Sequence, residues 1–205
     1  MSKVKICGLS REEDIIAVNH ALPDFIGFVF APSRRRVDIA TAAMMKAKLD
    51  PRIKTVGVFV NEEVSAVTEI YQNGIIDMAQ LHGDEDDGYI KRLKDTCGCP
   101  VIKAVGVDDA LPSLPVGLDY VLFDTLSEQR GGTGKTFAWS VLQAYSRPSF
   151  FLSGGLSIEN VAAAIHRLAP FCVDVSSGVE TGGTKDADKI EKFVCLVRGI
   201  PGPRA

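Results

Sequence analysis

Short apolar runs recur along the chain, and most are followed by a segment whose apolar residues return every three or four positions. Val4–Cys7, Phe25–Phe30, Thr55–Val60, Ile76–Leu81, Val101–Val105, Tyr120–Asp124, Ser149–Leu152 and Cys172–Val175 read as strands. Most are too continuously apolar for a sheet with one wet face, which predicts burial on both sides. Ser10 reads as the N-cap of a first helix, with Glu13 as the return half of a capping box. A second helix runs from about Asp38 to Leu49, and Asn61 caps a third whose inner face carries Val64, Val67, Ile70 and Tyr71. Asp84 begins a helix with Ile90 and Leu93, and another holds Phe137, Trp139 and Leu142. Ser157 caps a helix striped by Val161, Ala164, Ile165 and Leu168. The closing helix sets Ile190, Phe193, Val194 and Val197 at i, i+3, i+4 and i+7. After the fifth strand, Pro112 and Pro115 leave room for a short helix or a turn.

Strand and helix alternate eight times, which predicts a parallel sheet covered by helices. Eight units close into a (β/α)8 TIM barrel, and 205 residues place the chain at the compact end of that fold. The rival is an open doubly wound sheet. The barrel is preferred because candidate chemistry falls at the ends of strands 1, 2, 6, 7 and 8, which an open sheet would hold apart. No linker or composition shift divides the chain, so residues 1–205 read as one catalytic α/β domain.

Composition narrows the setting. Apolar residues make up 46% and charged residues 24%, the mix of a soluble globular domain. A formal charge of −3 argues against nucleic acid as partner, which needs a basic stripe. No apolar stretch reaches the roughly 18–20 residues of a membrane span, and Lys3, Lys5 and Arg11 interrupt any signal peptide. Five irregularly spaced cysteines do not make a secreted disulfide framework, so a reduced, cytoplasmic protein is expected. Three scattered histidines and no paired cysteine motif speak against a metal site. Cys97-Gly98-Cys99 lacks the two-residue spacer of redox and zinc motifs.

Several residues stand where a barrel places its chemistry. Cys7 ends strand 1: it is either a small buried hydrophobe or a thiol at the catalytic face, and Gly8 beside it leaves room for a ligand. Asp124 ends strand 6, as a loop cap or as a partly desolvated carboxyl suited to general acid work. Asp174, between Val173 and Val175, is a structural ion pair or a ligand contact. Ser153-Gly154-Gly155 and Ser176-Ser177-Gly178 follow strands 7 and 8, where barrels hold phosphate on backbone amides; two ordinary turns are the plain alternative. Arg34-Arg35-Arg36 after strand 2 is a solvated turn or supplies a guanidinium for a carboxylate or phosphate. His82 after strand 4 is a rim contact or a loop residue. Gly131-Gly132-Thr133-Gly134-Lys135-Thr136 fails the Walker A pattern, because Gln129 stands where a glycine is needed. It reads as a flexible glycine loop covering the site.

These segments resemble phosphoribosylanthranilate isomerase. Matching motifs are Lys5-Ile6-Cys7-Gly8, Gly27-Phe28-Val29-Phe30, Val56-Gly57-Val58-Phe59-Val60-Asn61 and Gln80-Leu81-His82-Gly83. Further on come Leu122-Phe123-Asp124, the run Gly131–Trp139, Leu152-Ser153-Gly154-Gly155-Leu156 and Val173–Glu180, in the family's order along nearly the whole chain. The resemblance implies isomerisation of N-(5'-phosphoribosyl)anthranilate to 1-(2-carboxyphenylamino)-1-deoxyribulose 5-phosphate in tryptophan biosynthesis, an Amadori rearrangement without cofactor or metal. It makes Asp124 the general acid and Cys7 a thiolate base, whose proton affinity Lys5 or a substrate cation is expected to lower. Arg35 aligns with the arginine that takes the anthranilate carboxylate, with Arg34 or Arg36 as substitutes if the loop is shifted. His82 and Asp174 become substrate contacts, and Gly154, Gly155, Ser176, Ser177 and Gly178 the phosphate site. The implied partner is a small phosphorylated substrate, handled by a monomer or homodimer. Two rival readings are the histidine-pathway phosphoribosyl isomerase, against which Cys7 argues, and a non-catalytic phosphate-ligand sensor on the same barrel.

Overall fold

Eight parallel strands, β1 (Lys3–Cys7), β2 (Phe25–Val29), β3 (Lys54–Phe59), β4 (Met78–Leu81), β5 (Val101–Val107), β6 (Tyr120–Thr125), β7 (Phe150–Leu152) and β8 (Cys172–Val175), form a closed barrel in chain order. The structure, a computed structural model, describes residues 1–107, 110–111, 113–125, 139–145 and 149–200. β1 pairs with β2 on one side and β8 on the other, and this closure rules out the open sheet. Helices α1 (Glu12–Ala21), α2 (Ile39–Ala47), α3 (Val64–Gln72), α4 (Asp87–Cys97), α5 (Val161–Leu168) and α6 (Ala187–Gly199) follow β1, β2, β3, β4, β7 and β8. Trp139–Ala144 is a 3₁₀ turn where an α-helix was expected, and Phe137 lies outside the described residues.

Side chains on a strand alternate between the barrel interior and the helix layer. The interior set includes Phe25, Val56, Met78, Ile102, Leu122, Phe151 and Cys172. Phe25, Tyr120 and Phe171 each place a ring 5.5–5.6 Å from Phe151, plugging the N-terminal end with tilted aromatic contacts. The outer set packs against the helices, and the buried face of α6 consists of Ile190, Phe193, Val194 and Val197, as the periodicity predicts. One interior layer is ionic. Lys5 stands opposite Asp174 in the β1–β8 register and donates to its Oδ2 at 2.8 Å, with Lys5 wholly buried. Removing one member alone would strand a buried charge, at a cost of about 3–5 kcal/mol.

Four helix starts differ from their sequence reading. α1 begins after Arg11, and the acid that reaches back is Asp14, whose Oδ2 accepts from the amides of Ser10 and Arg11 at 2.9 and 3.1 Å. α3 begins after Glu63, because Asn61 adopts a left-handed φ of 53° and exchanges hydrogen bonds with Asp84. That bond fixes Asp84 in the loop, and Asp86 caps α4 by accepting from the Tyr89 amide. α5 begins after Asn160, whose side chain bonds the Ser157 amide and the Gly155 carbonyl.

Candidate active site

A cavity of about 650 Å³ opens at the C-terminal ends of the strands. Its walls are the last interior-facing positions: Cys7 from β1, Val29 from β2, Val58 from β3, Gln80 and His82 from β4, Asp124 from β6, Ser153 after β7, and Asp174 and Ser176 at β8. The alternation that fills the barrel below with apolar groups therefore delivers polar ones at the rim. Arg34 and Arg35 complete the wall from the loop after β2.

Two glycines shape the thiol's surroundings. Gly27 faces Cys7 across the β1–β2 register, and a Cβ there would sit 2.8 Å from the Cys7 sulfur. Gly8 has φ of 82°, and a Cβ on it would lie 2.4 Å from Arg35 Cδ. The space beside Gly8 therefore houses Arg35, where the sequence reading had placed ligand. Burial pushes the Cys7 thiol above its ordinary value, with Asp174 adding to the rise and Lys5 and Lys185 pulling it down. Lys5 does act in the expected direction, but desolvation outweighs it. Burial also works against the charge on Lys5, yet Asp174 and Cys7 together raise its pKa and hold the ammonium charged.

Opposite the thiol, Asp124 Oδ2 lies 3.6 Å from His82 Nε2. Gln80 Nε2 sits 3.2 Å from His82 Nδ1. With that amide donating, Nδ1 accepts and the ring proton rests on Nε2, facing the carboxylate. Gln80 Oε1 and Asp174 Oδ1 are buried and have no hydrogen-bond partner among the described residues. Both belong to residues that line the cavity. Of the two sequence readings of Asp174, the structure shows the ion pair, made with Lys5 through Oδ2, and sets the residue in the cavity wall. Gln80 was noticed in the sequence as part of a motif and not as a site residue; its polarity at an interior position of β4 was the available signal.

The loop after β4 is braced by a second buried ion pair. Lys103 on β5 donates to Glu85 Oε2 at 2.9 Å and to the Gly83 carbonyl at 2.7 Å, while Glu85 accepts from the Gly83 and Asn61 amides at 2.9 and 2.7 Å. These contacts hold the segment that carries His82.

Of the residues read as a phosphate site, Ser176 lines the cavity and Gly154, Gly155, Ser177 and Gly178 form the two bordering loops. Gly154 and Gly155 have φ of 86° and 66°, and among the described residues no backbone acceptor pairs with either amide. The loops are packed together, since a Cβ on Gly178 would come within 2.0 Å of the Leu156 carbonyl oxygen. Ser176 Oγ donates to the Cys7 carbonyl at 3.0 Å, joining the β8 loop to β1. Arg35 is the inward arginine: its side chain is 15% exposed against 54% for Arg34, and Arg36 is exposed. The glycine loop Gly131–Gly134 with Lys135 lies outside the described residues.

Glu180 was not foreseen beyond its place in a motif. Burial opposes its ionisation, but hydrogen bonds from Arg35 and Lys185 outweigh that and hold its carboxyl at about 2, below the usual 4.5. A folded-state value below the unfolded one means that the native state binds fewer protons, so the stabilisation is present above pH 4.5 and is lost as pH falls toward 2. Urea midpoints should accordingly drop between about pH 5 and pH 3, and Glu180→Gln should reduce that drop. An unchanged difference in the variant would remove Glu180 from the acid response.

Fold and site together define a (β/α)8-barrel enzyme whose strand ends converge a thiol, a carboxyl, an arginine and two glycine-bearing loops on one cavity. The family model described as N-(5'phosphoribosyl)anthranilate (PRA) isomerase matches residues 4–195. A curated N-(5'-phosphoribosyl)anthranilate isomerase from Endomicrobium trichonymphae is 48% identical over 201 residues, covering 98% of this chain and all of that one. The crystal structure of phosphoribosyl anthranilate isomerase from Thermotoga maritima superposes with a TM-score of 0.84 at 36% identity, covering 97% of this chain and 100% of its own. A further structure of the isomerase, in complex with reduced 1-(o-carboxyphenylamino)-1-deoxyribulose 5-phosphate, has a TM-score of 0.81 at 34% identity, with coverage of 97% and 100%. The chain belongs to the N-(5'-phosphoribosyl)anthranilate isomerase family.

Proposed function

We infer that Cys7 and Asp124 carry out the family's Amadori rearrangement in this cavity, converting N-(5'-phosphoribosyl)anthranilate to 1-(2-carboxyphenylamino)-1-deoxyribulose 5-phosphate in tryptophan biosynthesis. The observation that carries the assignment is that Cys7, Asp124, Arg35 and Ser176, which come from four different strand ends, line a single cavity. Asp124 donates a proton to the ribose ring oxygen as the C1–O bond breaks, and the anthranilate nitrogen supplies the electron pair that forms the iminium. That cation acidifies the C2 hydrogen, which the Cys7 thiolate removes. The enolamine then tautomerises to the ketone, taking a proton at C1. A thiol raised by burial is a strong base once ionised, and the substrate iminium and the Lys5 ammonium both favour its thiolate.

Arg35 receives the anthranilate carboxylate, while His82 and the open oxygen of Asp174 contact the sugar. The phosphate sits on the amides of Gly154, Gly155, Ser177 and Gly178, beside Ser176. None of these proton transfers needs a metal or cofactor. The whole chain works as one catalytic domain, a monomer or a homodimer, acting on a small phosphorylated substrate. Its compartment is the cytoplasm, in keeping with five free cysteines and with no described helix long and apolar enough to cross a membrane.

Purified protein should consume the anthranilate fluorescence of freshly made substrate in buffer containing EDTA; turnover that EDTA abolishes would overturn the metal-free scheme. Arg35→Ala should raise KM at least about tenfold with a much smaller change in kcat, as expected for loss of a charge-assisted pair. Steady-state kinetics decide this, and an equal effect at Arg34 or Arg36 with none at Arg35 would reassign the carboxylate.

A further inference from the structure

Beyond β8 the chain makes a small device at the cavity rim. A 3₁₀ turn over Ser177–Val179 leads into β9 (Glu180–Thr181), which pairs antiparallel with β10 (Thr184–Lys185) through Gly182 and Gly183. Their φ angles of 60° and 85° give a two-residue turn of the kind that twists a hairpin in the favourable sense. Glu180 and Lys185 are direct cross-strand partners, and Lys185 Nζ donates to Glu180 Oε1 at 2.8 Å. The hairpin is pinned at both ends: Arg11 Nη2 donates to the Lys185 carbonyl at 3.0 Å and Lys189 Nζ to the Glu180 carbonyl at 2.8 Å.

Glu180 faces the arginine loop. Arg35 Nε donates to its Oε1 at 2.7 Å and Arg35 Nη2 to its Oε2 at 3.1 Å, a two-point grip on one edge of the guanidinium. Arg34 Nη2 adds a third bond, to Oε2 at 2.6 Å. Gly183 lets the turn close over Arg34, because a Cβ there would come within 2.7 Å of Arg34 Nη1. The Glu180 side chain is 5% exposed, so the grip is sheltered from water and its geometry is held. Three cations against one carboxylate leave the rim positive, which suits an anionic ligand. The edge that Glu180 occupies contains Nε, and Nη1 takes no part in the grip. A planar guanidinium can therefore serve Glu180 and a ligand carboxylate at once.

We propose that Glu180 is a positioning residue: it holds Arg35 across Gly8 in the orientation that receives the substrate carboxylate, and so sets substrate affinity without taking part in proton transfer. This rests on the assignment of Arg35 made above. Without the grip, the long arginine side chain would have to be ordered by the substrate at each binding event.

The test is a kinetic cycle on the purified enzyme with Glu180→Gln, Arg35→Ala and the double variant, each checked for native circular dichroism. Glu180→Gln should raise KM about tenfold or more while kcat falls less than about threefold, since binding and not chemistry is affected. In the Arg35→Ala background the same change should add less than about twofold to KM, because the residue acts through Arg35. An unchanged KM in Glu180→Gln alongside a raised KM in Arg35→Ala overturns the proposal and leaves the carboxylate assignment standing. A full additive increase in the double variant also overturns it, making Glu180 a staple of the fold. An unchanged KM in Arg35→Ala overturns both. Should Glu180→Gln fail to fold, Glu180→Asp keeps the charge but shortens the reach, and the same KM increase without loss of kcat is expected of it.

Discussion

Replacing Cys7 by serine is expected to lower kcat by about 10²–10⁴-fold, the range that a positioned general base contributes. A serine hydroxyl holds its proton far more tightly than a thiol, so at neutral pH it offers almost no oxyanion to take the C2 hydrogen. The barrel should tolerate the change: Cys7 lies at the cavity wall, above the apolar interior layer, and the smaller oxygen fits the space that Gly27 leaves for sulfur. KM should change little, because Arg35 and the loops proposed to hold the phosphate are untouched. The wild-type enzyme has a matching pH dependence. Burial raises the thiol above its ordinary value, so the Cys7 thiolate fraction in the free enzyme should climb as pH rises from neutral toward that value, while kcat/KM also needs the Asp124 proton and is lost once that proton dissociates. Steady-state kinetics of both proteins check this, and a serine variant with near-normal kcat would remove Cys7 from the chemistry.

Asp124→Asn should produce a loss of similar size, about 10²–10⁴-fold in kcat, for the opposite reason. The amide keeps the shape of the carboxyl and its place beside His82, whose Nε2 stands 3.6 Å from Oδ2. It has no proton to give to the ring oxygen as the sugar opens. Ring opening precedes proton removal from C2, so the block falls on the first step, and the variant should bind substrate with KM close to that of the wild type. The near-isosteric exchange should leave the native circular dichroism spectrum unchanged. Near-normal kcat in Asp124→Asn would transfer the acid role elsewhere.

What the sequence made legible follows from which interactions are local. The eight strands and the α6 stripe Ile190, Phe193, Val194 and Val197 are consequences of periodicity, and they appear in the structure as predicted. The rim residues Cys7, Asp124 and Asp174 were visible because polar groups at the ends of apolar strands stand out. The first polar residue before a helix proved a poor guide to its start. Ser10, Asn61, Asp84 and Ser157 all fall short: of the four observed N-caps only Asp86 reaches a first-turn amide with its side chain, and α1, α3 and α5 start where the packed loop turns into the helix. Contacts that close the barrel were out of reach. Lys5 and Asp174 meet across 169 residues, and nothing near either one announces the pair. Glu180 shows the same limit: its importance comes from the hairpin Glu180–Lys185 and from arginines 145 and 146 positions away.

The role of Cys7 as the base that removes the C2 hydrogen is tested most directly by substrate carrying deuterium at ribose C2. In the Cys7→Ser variant, C–H cleavage by a poorer base becomes the slow step, and a normal primary isotope effect on kcat/KM is expected. A slowed variant that shows no isotope effect would contradict that role.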